Sequence, residues 1–499
     1  MSNQTMSRKR LQDQNPADSL KKYLYFIYTR GFFMASKAIR GAFFDFVDDP
    51  WKHIGNEQKS ARFYPDGMLV VENGKIKAYG PYDKIFTQFP GIAITHIKDR
   101  LILPGFIDGH IHMPQTRVLG VYGQQLLGWL LEGIFPEERK YSDRKYAEEG
   151  AKHFFDDLLA GGTTTCQAFL THAPVCTEVF FEEASRRNML VIGGLTGIDR
   201  FAPEGSFDSA ENFYRDSKTL IQKWHRKGRN LYAITPRFPL GCTHEMMDSC
   251  KKLRKEYPDV WFNSHLNENP HEIRDTNAHH CTHDYLEAFE KYDLVGPKFT
   301  GGHSVWTSDD EYKRLSKAGA AVSFCPLSNL FLGSGLFRLG KVTNPEHRVR
   351  FSLGCDVGAG NKFSILNVLD EAYKVGMCNN TLLDGSVDPR NFDAAEAERN
   401  KLSPYRAFFS ATLGGAQSLY LDDRIGNFDP GKEADFVVLD WTSGQKAAAW
   451  QTSQIVGKDG PKDMDTAAKL LFSIMILGDD RSVDQTWIMG DPAYQKNKS

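Results

Sequence analysis

Pro104-Gly105-Phe106-Ile107-Asp108-Gly109-His110-Ile111-His112 is an apolar run that ends in two histidines one residue apart. Successive side chains of an extended strand point to opposite faces, so His110 and His112 fall on the same one. A strand that delivers two imidazoles to one side at its C-terminal end suits a fold whose chemistry gathers at strand ends. Outward from this stretch, strand-like runs at 105–111, 163–169, 189–195, 231–237, 260–266, 298–303, 320–325 and 349–356 alternate with amphipathic stretches such as 147–159, 177–188, 211–227 and 309–318. This is the βα rhythm of a parallel sheet. Eight such units over roughly 300 residues fit an α/β protein of the (β/α)8 TIM-barrel type better than an open doubly wound sheet, which usually has fewer strands and a Gly-rich first turn.

The two ends of the chain read differently. Tyr25-Phe26-Ile27-Tyr28, Gly67-Met68-Leu69-Val70-Val71 and Lys75-Ile76-Lys77-Ala78-Tyr79 are short strand patterns, with a hairpin turn at Glu72-Asn73-Gly74. Strand patterns return after about 415 at Ala434-Asp435-Phe436-Val437-Val438-Leu439 and Gln485-Thr486-Trp487-Ile488-Met489. The expected organisation is a barrel over 101–414 and a small β-sandwich domain assembled from 1–100 and 415–499, the first ~20 residues being polar and loose.

Composition removes several function classes. With 61 basic against 63 acidic residues the formal net charge is −2, and no block of like charges marks a nucleic-acid surface or a membrane-binding tail. The cysteines at 166, 176, 242, 250, 281, 325, 355 and 378 are scattered without a CxxC pair, which argues against a disulfide framework and for a reducing compartment. Arg8, Lys9, Arg10, Asp13 and Asp18 interrupt any secretory apolar core, and no apolar window long enough to span a bilayer follows. The expectation is a soluble, cytoplasmic protein with neither nucleic acid nor membrane as partner.

On the eight-strand count, strand one ends in His110 and His112, strand five at His265, strand six at His303 and strand eight at Asp356. A lone histidine at a strand end is more often a hydrogen-bonded rim residue than a ligand. Four imidazoles and a carboxylate on one rim are a different matter, because nitrogen and oxygen donors without thiolate suit an open catalytic zinc site. His279, His280 and His283, beside Cys281, look like a ligand run but fall in the segment after strand five, away from the rim. Glu268 lies three residues beyond His265, where a carboxylate can carry a proton without being a ligand.

These motifs resemble the amidohydrolase superfamily and, within it, the guanine deaminases. The resemblance runs from about 25 to 490. It rests on the 104–112 stretch with Gln115, Ala160-Gly161-Gly162-Thr163-Thr164-Thr165, Thr235-Pro236-Arg237-Phe238, Ser264-His265-Leu266-Asn267-Glu268, Gly302-His303, Cys325-Pro326-Leu327-Ser328-Asn329 and Gly354-Cys355-Asp356-Val357. Gly426-Asn427-Phe428-Asp429-Pro430-Gly431-Lys432-Glu433-Ala434-Asp435 and Leu477-Gly478-Asp479-Asp480-Arg481 extend it into the tail. The chain departs from the family at Gly109, where threonine is common, and at Asp356-Val357-Gly358-Ala359-Gly360, which inverts a frequent Ala-Gly-Gly.

Two-metal members carry a carboxylated lysine at the end of strand four. Here that position is Arg237, which implies the single-metal type, with one Zn2+ per chain. The resemblance implies His110, His112, His265 and Asp356 as zinc ligands, His303 near the hydrolytic water, and Glu268, His303 and Asp356 as the catalytic groups. His303 could equally be counted among the ligands. Gln115, Arg237 and Phe238, with His265 and Asp356, would hold the substrate, although an ion pair or rim hydrogen bond would also explain Gln115 and Arg237, and core packing Phe238. Trp129, Phe135 and Trp306 are further aromatics for the mouth. The implied reaction is hydrolytic deamination of guanine by water to xanthine and ammonia, in a homodimer. The alternatives are deamination of another aminated ring (cytosine, adenine or a triazine) and a catalytically inactive scaffold, from which metal ligands are typically lost.

Overall fold

In the computed structural model, residues 36–122, 125–382, 393–444, 446–457 and 460–496 are described; the strand expected at Tyr25–Tyr28 and the loose first residues lie outside them. Before the barrel come β1 (Lys37–Phe46), β2 (Ala61–Glu72), β3 (Lys75–Pro81) and β4 (Ala93–Pro104). β2 and β3 form the expected hairpin, and Asn73 and Gly74 both take positive φ, 54° and 77°, as a two-residue type I′ turn requires.

The barrel strands are β5 (Phe106–His112), β6 (Thr163–Phe169), β7 (Leu190–Gly194), β9 (Asn230–Pro236), β10 (Trp261–Leu266), β11 (Phe299–His303), β12 (Ala321–Phe324) and β13 (Arg350–Leu353). A two-residue β8 (Thr196–Gly197) prolongs the β7 position along β9. All pair in parallel and in sequence order, so each of the eight expected strands is present. They are buried along almost their whole length, as strands covered on both faces must be. Helices intervene where amphipathic patterns predict them, at Arg144–Ala160, Pro174–Arg186, Ala210–Trp224 and Asp309–Ala318. The Asp143, Ser209 and Ser308 side chains cap three of these by accepting backbone N–H bonds.

The ladder runs from β5 round to β13 and stops there. The seam is closed just beyond β13: Asp356 N–H donates to His110 O at 2.9 Å, and His112 N–H to Val357 O at 3.1 Å. The eighth strand ends at Leu353, earlier than the sequence pattern suggests, and at Asp356 the backbone turns to φ 48°.

The small β domain drawn from both ends is one seven-stranded mixed sheet, completed by β14 (Phe436–Leu439), β15 (Val483–Ile488) and β16 (Asp491–Gln495) in the order β16-β15-β14-β4-β1-β2-β3. Two helices without a sequence signal read above, Lys446–Val456 and Met464–Leu477, lie between β14 and β15.

A buried ionic knot joins this sheet to the barrel. Arg229, immediately before β9, donates from Nε to Glu433 at 3.0 Å and from Nη1 to Asp435 at 3.3 Å, and its Nη2 reaches both carboxylates. Glu433 also accepts from Arg424 Nε at 2.9 Å. Removing one partner of a buried pair strands the others without compensation, which typically costs about 3–5 kcal/mol. Arg229→Ala is expected to destabilise the chain by that order, read as a lower urea midpoint; an unchanged midpoint would contradict this account of the knot.

Candidate active site

β5 sends His110 and His112 inward, β10 sends His265, β11 ends on His303, and Asp356 follows β13. His110, His265, His303 and Asp356 each offer a donor atom within 4.8 Å of the others, forming a buried metal-binding group. His112 joins through the carboxylate. Asp356 Oδ1 stands 3.3 Å from His110 Nε2 and 3.2 Å from His112 Nε2, whereas His303 Nε2 faces the other oxygen, Oδ2, at 3.8 Å. Neighbouring donors on a tetrahedral zinc with bonds near 2.0 Å would lie about 3.3 Å apart.

The imidazoles are prepared for lone-pair donation. His265 Nδ1–H donates to Arg237 O at 2.6 Å, which leaves Nε2 unprotonated in the neutral ring. Burial pushes His265 well below the usual imidazole range and His303 to about 3. Burial alone would raise the Asp356 carboxyl, but the close approach of the His110 and His112 rings holds it well below the usual range. His110 Nε2 and His303 Nε2 are buried without a hydrogen-bond partner, an expensive arrangement unless something else occupies their lone pairs or protons. The donor set fits a metal.

The approach depends on missing side chains. A Cβ on Gly302 would lie 2.3 Å from the His110 ring, so only glycine fits on β11 there. At Gly109, the departure from the family pattern, a Cβ would lie 1.9 Å from Ser352 Oγ. The serine fills the space that a larger residue at 109 would need. Asp356, His303 and Asn267 have φ of 48°, 72° and 51°, strained for non-glycine residues and concentrated at the ligand-bearing ends.

Glu268 is buried beside this group, with Oε2 3.4 Å from His303 Nε2 and Oε1 accepting from Ser334 Oγ at 3.4 Å. Burial, with the charges of Asp356 and Glu272 nearby, pushes its carboxyl well above the usual range. Glu272, unremarked in the sequence, lies in the helix Pro270–His280, whose capping box it forms with Asn269. It lines the same cavity, accepts a short hydrogen bond from Tyr285 and is raised by burial to about 7. Asn329 was quoted only as part of a motif; its side-chain amide lies 2.9 Å from His303 Nδ1.

A cavity is lined by His112, His265, His303, Asp356 and Glu268 together with Gln115, Arg237 and Phe238. Leu126, Trp129 and Leu130 cover it. Phe135 packs on the Arg237 guanidinium, 5.1 Å from ring centroid to Cζ, and Trp306 is half exposed outside the cavity, donating to Ser334 O. Gln115 and Arg237 also make the hydrogen bond and ion pair that their chemistry allowed, both to Glu138, a residue the sequence did not single out. His279 and His280 instead face the backbone oxygens of Cys242 and Pro239, at 3.1 and 2.8 Å, and are not in the metal-binding group.

Comparison with known proteins points the same way. The profile of the amidohydrolase family matches residues 101–493. Guanine deaminase of Escherichia coli (strain K12) is 41% identical over 466 residues, 92% of this chain and 98% of its own length. The crystal structure of guanine deaminase from Bradyrhizobium japonicum superposes with a TM-score of 0.92 at 64% sequence identity, covering 93% of this chain and 100% of that one. Guanine deaminase from C. acetobutylicum with bound guanine in the active site superposes at 0.76 with 25% identity, covering 92% and 100%. From the geometry of His110, Gly302→Ala is expected to displace the ring and lower the bound-metal content while the circular dichroism spectrum stays native-like; full metal occupancy would show that the close approach is unnecessary.

Proposed function

The chain belongs to the amidohydrolase family, and from that premise we propose that it is a single-zinc deaminase converting guanine and water to xanthine and ammonia. The observation that carries this reading is the meeting, in one cavity, of a metal-binding group, a buried protonatable Glu268 and the donors of Arg237 and Gln115. The relatives named for guanine deamination support the choice of base.

His110, His112, His265 and Asp356 are the ligands in this reading. The two short contacts to a single oxygen of Asp356 and the longer reach of His303 to the other favour His112 over His303. Zinc would supply Lewis acidity, drawing the pKa of water down toward about 7. The remaining steps belong to the side chains. Glu268 takes a proton from the attacking water, whose oxygen adds to C2 of the base, and passes that proton to the ring nitrogen beside C2. Asp356 and His303 orient the water and stabilise the tetrahedral centre; the proton of the added hydroxyl passes to the C2 amino group, the C2–N bond breaks to release ammonia, and the C2–O bond becomes the carbonyl of xanthine. Arg237 donates to the base carbonyl, Gln115 pairs with the ring edge, and Phe238 packs on its face.

No helix among the described residues is long and apolar enough to cross a membrane. We further infer a homodimer, on the family likeness, and a cytoplasmic setting, on the scattered cysteines, all of them free.

Ammonia release should be fastest from guanine in a panel of purines, pyrimidines and triazines, with about one zinc per active chain; preference for another ring would overturn the substrate. Glu268→Gln should keep its zinc yet lose about 10²–10⁴ in kcat, and near-normal turnover would remove Glu268 as the proton carrier. Arg237→Gln should raise KM for guanine far more than for a purine lacking the carbonyl, whereas equal effects would deny it that contact.

A further inference from the structure

Glu138 is 6% exposed and sits at the end of the short helix Phe135–Glu138, part of the same strap whose Leu126, Trp129 and Leu130 cover the cavity. Its carboxylate makes three hydrogen bonds to the two side chains assigned above to the base. Gln115 Nε2 donates to Oε1 at 2.8 Å, and Arg237 Nη1 donates to Oε1 at 3.0 Å and to Oε2 at 2.8 Å. The other end of the Gln115 amide is also held, because Gly358 N–H donates to Gln115 Oε1 at 3.0 Å.

These contacts have a logic of polarity. The two ends of a glutamine amide are nearly the same shape, so an unconstrained Gln115 could turn either its donor or its acceptor toward a ligand. A carboxylate only accepts and a backbone N–H only donates, so Glu138 and Gly358 together allow one orientation. Arg237 is held in the same way. Its Nη1 is taken by the carboxylate and its face by Phe135, and among the described residues no side-chain hydrogen bond engages Nε or Nη2. A guanidinium offers donors only in any orientation, so what these contacts fix is where the remaining donors point, and the buried ion pair cancels the guanidinium charge against a neutral base.

We propose that Glu138 is a specificity-determining positioning residue: it fixes the polarity of Gln115 and the aim of the Arg237 donors so that the site accepts a 6-carbonyl purine and rejects a 6-amino purine. It touches neither substrate nor metal in this account and acts only through those two side chains. A 6-amino group would turn a donor toward donors and leave buried N–H groups unpaired, which is the strong form of rejection. The inference rests on the guanine reading.

The test compares guanine with 2,6-diaminopurine, which keeps the 2-amino group and changes only position 6. KM for guanine and the competitive Ki of 2,6-diaminopurine are measured on the zinc-loaded wild type and on Glu138→Gln, beside metal content and thermal midpoint. Glu138→Gln should raise KM for guanine about tenfold or more while Ki for the diamine changes by less than about threefold, so that discrimination shrinks by a similar factor. A purely structural role would weaken both ligands alike or lower kcat alone, and either result overturns the proposal, as does unchanged discrimination. Should Glu138→Gln fail to fold, Glu138→Asp withdraws the carboxylate by one methylene with its charge kept and is read by the same ratio. A wild type that releases no ammonia from guanine sinks the functional reading and this inference together; an active wild type with unshifted discrimination in the variant sinks only the role of Glu138.

Discussion

The first and last strands of the barrel are joined by two backbone hydrogen bonds, Asp356 to His110 and His112 to Val357. Three of these four residues carry side chains of the site. Asp108 reinforces the seam from below, accepting from the backbone N–H of His110 at 3.0 Å and of Cys355 at 3.3 Å. Closing the barrel and bringing Asp356 Oδ1 to His110 and His112 are thus one event. A slip at this seam would open the ring and separate the imidazole pair from its carboxylate. The left-handed backbone at Asp356 follows from the same requirement: the chain must turn at once, after the strand, to aim the carboxylate at strand one.

Around that seam the site is built from opposed polarities. On the metal side, burial holds His265 and His303 down so that neutral rings face Asp356, whose own low value comes from the close approach of His110 and His112. Glu268 is pushed the other way, by burial and by the charges of Asp356 and Glu272 nearby. Two acidic groups in one cavity are separated in proton affinity by their surroundings, the condition under which one stays charged and the other carries protons. In the same cavity lining, Arg237 and Gln115 both donate to the buried carboxylate of Glu138. The second sheet takes no part in lining the cavity. It is tied to the barrel through Arg229, whose guanidinium is held by Glu433 and Asp435 of the tail, far from the metal group.

Much of this was legible in residue order, for a specific reason. Eight apolar runs separated by amphipathic stretches have few packing solutions, and parallel strands in sequence order put every C-terminal end on one rim. Hence His110, His112, His265, His303 and Asp356 could be gathered without coordinates, and His279 and His280 set aside. Glu268 followed from its short distance to His265 along the chain. The β2–β3 hairpin was legible in Asn73-Gly74, where two positive φ values are needed.

Glu138, Glu272 and Asn329 were not assigned roles because nothing in their spacing separates them from a solvated glutamate, a capping residue or a packed amide; only the folded chain shows each one buried against a site residue. The helices at 446–456 and 464–477 escaped a reading that expected strands near the C-terminus. The residue order alone therefore determined the barrel, the metal-ligand types and the rim on which His110 and His112 stand, since strand periodicity and chain order are local properties. The tertiary structure decided which oxygen of Asp356 each imidazole meets, how the seam closes and which carboxylate holds Gln115 and Arg237. Those depend on distances between segments that are apart in the chain, by 23 residues for Gln115 and Glu138 and by 247 for Asp108 and Cys355, and on burial, which sets the cost of every unpaired charge.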